Sequence, residues 1–265
     1  MMDANDLYIP TFDASAVGVS LLGLSLYLVI YQARVRHKMH KATTQTGRNF
    51  ENMQYWGIKH NSFPDAPSVT LAVQTLRNTI LVGVFVGGSS LTAAIAACDL
   101  LARPSDVSPQ LVVRQILIAA FLFLSFLNWA QVIRFANHLG YYVSTLQLHR
   151  EEKLAALKRE KETAIMLAVV TEPGDADVRQ DAVTASAQVQ LTKEEIESAN
   201  DTAALRVVQA MALKVAMHFS FGFRFMFFAI PFWMYSAGPV ALVASSGLTL
   251  AFLAVFDFPT NVEEE

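Results

Sequence analysis

Phe225-Met226-Phe227-Phe228-Ala229-Ile230-Pro231-Phe232-Trp233-Met234-Tyr235-Ser236-Ala237-Gly238-Pro239-Val240-Ala241-Leu242-Val243 carries no charge, and a helix-breaking Ser-Ala-Gly-Pro turn interrupts it. Two apolar runs on either side of such a turn read as a tight hairpin of helices rather than one long span. A helix crossing roughly 30 Å of hydrocarbon at 1.5 Å per residue needs about 20 apolar residues. By that ruler the hairpin comprises spans from about Val215 to Tyr235 and from about Pro239 to Phe256. Three earlier stretches also qualify: Ala14 to Ala33, Thr79 to Ala97 with its helix starting near Ser68, and Leu111 to Ile133. The predicted fold is all-α, a polytopic membrane helix bundle of about five transmembrane helices with an extramembrane helical hairpin. Composition agrees, since 53% of the 265 residues are hydrophobic and 16% charged, too apolar a balance for a soluble domain of this size.

The net charge of −3 averages apolar spans with charged connections and points to neither nucleic acid nor an acidic substrate. The single cysteine, Cys98, excludes an internal disulfide and any multi-thiolate centre within one chain. Asp3 and Asp6 make the start acidic, and no small-residue cleavage site follows the first apolar run, so a retained span is expected rather than a removed leader. No Arg-rich transit peptide is visible, although import into an organelle inner membrane of a mitochondrion or chloroplast through internal signals would look the same.

Orientation follows from Lys and Arg near the span ends. None precedes the first span, whereas Arg34, Arg36, Lys38, Lys41, Arg48 and Lys59 follow it. The second connection offers only Arg103, and the third is rich in basic residues. The N-terminus is therefore expected outside and the C-terminus inside. The organisation reads as 1–13 outside segment, 14–145 helices one to three, 146–204 charged inside connection, 205–257 helices four and five, and 258–265 acidic tail. The stretch from His149 to Lys161 is rich in helix formers with alternating charges and continues the third helix out of the membrane. Thr192-Lys193-Glu194-Glu195 has the pattern of a capping box, so the fourth helix is expected to start in water and pair with that extension. An acidic, Ala-rich segment from about Thr171 to Gln190 joins the two. No internal repeat of transporter type is present.

Ionisable groups at membrane depth are costly and are the first place to look for function. Arg34, Arg77, Arg134, His138, Lys214, His218 and Asp257 fall near the inner ends of their spans, and Arg224 lies about seven residues into the fourth, on the order of 10 Å deeper. Asn128, Gln131, Arg134 and then Asn137 or His138 share one side of the third helix. That face reads first as a structural seam and second as a polar path. A desolvated carboxylate needs a partner, so Asp257 is expected to pair with Arg77 or Arg134. Arg224 is expected to find Asn128 or carbonyls freed by Pro231. His138 and His218, if level, would permit axial ligation of haem or a chlorophyll-type pigment, a match easily made by chance. His37, His40 and His60 sit among cations and read as a phospholipid-facing cluster before a metal site. No cofactor or metal is therefore expected, and bound lipids are.

Gly83 and Gly87, followed by Gly88, Ser90, Ala93 and Ala94, give the second span a smooth helix-packing face, fitted equally to an internal contact or another subunit. The phenylalanines of the fourth span read as packing, with Trp233 and Tyr235 at the outer interface. No phosphate loop, G-x-S-x-G, H-E-x-x-H or paired intramembrane carboxylates occur, so an enzyme is not expected.

Leu71-Ala72-Val73-Gln74-Thr75-Leu76-Arg77-Asn78-Thr79-Ile80 resembles the signature of plant-type members of the domain-of-unknown-function 599 family. Ile133-Arg134-Phe135, Pro231 with Tyr235, Gly238-Pro239 and the final span ending near Asp257 agree with it. The charged inside connection looks longer and more polar than the family pattern, and a proline-rich start is lacking. The resemblance implies a multi-span helical membrane protein with Arg77, Arg134 and Asp257 in a shared core, and no activity. The residues favour an accessory or structural subunit, or scaffold, that packs against other membrane-protein subunits and lipids and not nucleic acid. The alternative is a small transporter or channel lined by the third and fourth helices.

Overall fold

The computed structural model describes residues 11–36, 66–102, 108–171, 191 and 202–257. The described residues form five long α-helices: α1 (Thr11–Arg36), α2 (Ala66–Ala102), α3 (Pro109–Thr171), α4 (Thr202–Met234) and α5 (Pro239–Asp257). All five are long and apolar enough to cross a membrane. Pro109 opens α3 where its missing N–H is no loss, and Ser108 caps the helix, its Oγ accepting from the Leu111 N–H at 3.3 Å. At the hairpin, a single 3-10 turn (Tyr235–Ala237) leads to Gly238, whose φ of 109° suits a residue without Cβ, and Pro239 starts α5.

Neighbours in the bundle follow the order α2, α3, α4, α5, α1. Gly83 meets Ile133 and Ser90 meets Ser125, so α2 and α3 are antiparallel. Phe121 stacks on Phe232 and Asn128 reaches His218, so α3 and α4 are antiparallel too. The first helix closes against the last: Gly23 faces Leu250 and Tyr27 faces Asp257, which makes α1 and α5 parallel. Large apolar side chains such as Leu22, Phe85, Leu248 and Val255 are exposed around the spans, a surface suited to lipid.

Two apolar clusters fill the interior. One joins Leu24, Tyr27 and Tyr31 of α1 to Ile118, Phe228, Phe232, Leu242 and Leu253. Tyr235 belongs to this cluster and is buried, whereas Trp233 is exposed. The second cluster lies between α2, α3 and α4 and centres on Trp129, which is 0% exposed. Its ring is edge-on to Phe219 and Phe223. A Cβ at Gly87 would stand 2.9 Å from the Trp129 Cβ, and one at Gly222 would stand 2.8 Å from its Nε1. Gly83 faces the same Trp129 and Ile133 side chains. The glycine face of α2 is thus spent on an internal contact.

α3 runs for 63 residues, about 95 Å, against a hydrocarbon core of about 30 Å. The expected continuation of the third helix beyond the membrane is present. The capping box at Thr192 to Glu195, the acidic joining segment after Thr171, and His37, His40 and His60 lie outside the described residues, as do the chain termini.

Candidate functional site

The charged residues buried between α4 and α5 form a compact cluster with α1. Ser220 and Arg224 lie four residues apart on one face of α4, and Tyr27 and Tyr31 lie four apart on α1. Arg224 Nη2 donates to Asp257 Oδ1, forming an ion pair whose side chains are only 5% and 9% exposed. Tyr27 donates its hydroxyl proton to the other carboxylate oxygen, Oδ2. Arg224 Nη1 donates to the Ser220 carbonyl at 2.8 Å and to the Ser220 hydroxyl. The guanidinium lies over the Tyr31 ring, 3.6 Å from its centroid, and the Tyr31 hydroxyl bonds Ser220 Oγ at 2.7 Å.

This corrects the pairing expected from sequence. Asp257 meets Arg224, while Arg77 and Arg134 are both exposed. Arg224 in turn does not use Asn128, whose amide donates to the Leu124 carbonyl at 2.8 Å. Relative to the hairpin, Asp257 lies eight residues, about 12 Å, farther along its helix than Arg224 along its own. Side chains on a helix lean toward its N-terminus. In an antiparallel pair that leaning brings the Arg224 side chain down and the Asp257 side chain up, and the long guanidinium arm spans the rest. Counting depth from span ends ignores this lean. Tyr27, Tyr31 and Ser220 carry no charge to draw attention in the sequence; two tyrosines one turn apart in an apolar span are the one signal of them.

The remaining polar residues do not converge with this cluster. His218 Nδ1 lies 3.0 Å from Asn128 Oδ1, while the Asn128 amide donates to the Leu124 carbonyl. The ring stacks on Phe135, over which Lys214 also sits. His138 lies ten residues beyond Asn128 on α3, about 15 Å along the axis, and is exposed, so His138 and His218 are not level and cannot clasp one macrocycle between them. Gln131 is half-buried. No group of three or more metal-ligating side chains occurs among the described residues. A separate polar seam crosses the bundle from Ser90 to Ser125, whose hydroxyl donates to the Gly222 carbonyl at 2.8 Å.

Exposed Arg77 and Arg134 give a direct check on this arrangement. Replacing either by alanine is expected to change stability by no more than about 0.5 kcal/mol, as at other surface positions, in a thermal melt of the detergent-solubilised chain. A large loss would mean that one of them holds a buried carboxylate.

Five apolar helices, an apolar outer surface and a buried ion pair closed by neighbouring helices define an integral multi-span helical membrane protein. The chain belongs to the family described as protein of unknown function, DUF599, whose model matches residues 15–262. No curated protein and no solved structure matches it.

Proposed function

We propose that the chain is a non-catalytic scaffold subunit of a larger membrane assembly, with its N-terminus outside and the projecting half of α3 inside as the arm that meets a partner. The observation that carries this reading is the unbroken 63-residue α3. Beyond the bilayer it exposes Glu151, Glu152, Lys153, Lys158, Arg159 and Glu160, charges of both signs and a surface suited to charge-complementary docking. The bundle's deepest charges support the same reading, because Arg224 and Asp257 are paired with each other.

The test is extraction from native membranes in a mild detergent, followed by identification of what migrates with the chain. A stable larger assembly is expected, and Lys158→Glu with Arg159→Glu should shed the partner while the bundle stays monodisperse. Migration as a lone monomer with no stable partner would overturn the proposal.

A further inference from the structure

The outward face of α3 changes character along its length. Phe123 and Leu127, 47% and 42% exposed, are followed on that face by Arg134, His138 and Tyr141, because steps of three, four and seven residues keep to one side of a helix. All three of the latter are exposed. The apolar run that begins at Leu111 ends at Ile133, so Arg134 and His138 stand where the helix leaves the hydrocarbon, on the side of the projecting α3 arm.

The neighbouring helices add positive charge at this height. Lys214 of α4 is exposed, and its Nζ lies 5.2 Å from the centroid of the Phe135 ring, which places the ammonium beside the turn of α3 that carries Arg134 and His138. On α2, Leu76 Cδ1 lies 3.8 Å from where a Cβ of Gly140 would stand, so the exposed Arg77 next to it sits within about one helical turn of the same height. No carboxylate balances these charges. α4 contains no acidic residue, α2 has only Asp99 near its far end, and α3 has none before Glu151, about 20 Å past His138 by helix rise. Asp257 is taken by Arg224 and Tyr27. Among the described residues, none forms an ion pair with Arg77, Arg134 or Lys214.

We propose that this face binds an anionic phospholipid of the adjacent leaflet, with the phosphate among Arg134, His138 and Lys214 and an acyl chain along Leu127 and Phe123. The chemistry matches at each level. A guanidinium presents paired N–H donors to phosphate oxygens, the ammonium adds a point charge, and an imidazole offers an N–H in either tautomer. Tyr141, 74% exposed, stands among the headgroups, where an amphipathic ring is favoured. Setting the orientation of the chain requires positive charge on this side of the membrane but no particular arrangement of it. Here charges from two helices meet around one aromatic ring, below an exposed apolar strip that continues into the hydrocarbon.

The experiment titrates the purified full-length chain, freed of native lipid in a neutral detergent at 0.15 M salt, with fluorescent phosphatidylglycerol or phosphatidylcholine. Each cation at a membrane surface favours an anionic headgroup by about fivefold, so phosphatidylglycerol is expected to bind about tenfold tighter or more. Arg134→Gln and Lys214→Gln should each lower that affinity about fivefold and leave phosphatidylcholine binding unchanged, which also reports that the variants are folded. Arg206→Gln is the control. Exposed on α4 about 12 Å from Lys214, it lies beyond the screening length of about 8 Å and should leave the preference intact. Inorganic phosphate should not displace the lipid, whose acyl chain it lacks. Equal affinity for the two lipids would overturn the proposal. So would an equal loss in Arg206→Gln, which would mean diffuse attraction rather than a site, or displacement by inorganic phosphate, which would mean that the apolar strip plays no part. No partner protein enters this assay, so its outcome is separate from that of the scaffold reading.

Discussion

Asp257→Ala is expected to destabilise the bundle by about 3–5 kcal/mol, read as a large drop in the thermal midpoint of the detergent-solubilised chain. The loss comes less from the missing attraction than from what remains. Arg224 would stay buried with a full charge, keeping only the Ser220 contacts and the Tyr31 ring. Tyr27 would lose the acceptor for its hydroxyl at the same time. Removing both charges should therefore be milder than removing one, since a buried ion pair can often be replaced by apolar groups of similar volume with little loss. Arg224→Met combined with Asp257→Leu is expected to recover most of the midpoint. A double variant no more stable than Asp257→Ala would mean that the pair holds the fold through geometry that apolar packing cannot replace.

The second large effect is expected at Trp129. Its truncation to alanine should cost about 3–5 kcal/mol, the range for emptying a large aromatic from a closed core. The complementary change crowds the same site from the other side. Gly87→Leu places a side chain where even a Cβ would lie 2.9 Å from the Trp129 Cβ, and the ring cannot swing aside because Phe219 and Phe223 hold its flanks. The variant is expected to be lost from the membrane fraction or to melt at a much lower temperature. Adding Trp129→Ala to Gly87→Leu should restore part of the loss, because the new leucine would enter the space the indole left. Independent, additive losses would show that the two residues do not share one site.

The sequence told these two sites apart unequally. Spans needed only length and apolar content, so five helices, the Gly238-Pro239 hairpin and the continuation of α3 past Gly140 could be read from composition and breakers. The glycines of α2 announced close packing without naming the occupant, because the spacing of Gly83 and Gly87 fits any partner helix. Trp129 is one aromatic among many in an apolar span, and nothing in its local pattern marks it as the residue those glycines accommodate. Asp257 reads from sequence as a carboxylate in need of a cation, but depth alone puts Arg77 and Arg134 nearer to it than Arg224, the residue it meets. The contact of α1 with α5 was invisible for a different reason: hydropathy locates helices along the membrane normal and says nothing about their order around the bundle. Tyr27 became significant only once those two helices stood side by side.

That adjacency of the first and last helices bears on how the protein is made. Tyr27 and Asp257 are 230 residues apart in the chain. Contacts so distant in sequence form late, after every intervening segment has been synthesised and inserted. Until α5 is in place, α1 carries Ser20, Tyr27 and Tyr31 on a face without its principal neighbour, and Arg224 waits in α4 without its carboxylate. A ribosome-bound intermediate lacking α5 thus displays unpaired polar groups within the lipid, the kind of feature that membrane quality-control proteases and insertion chaperones recognise.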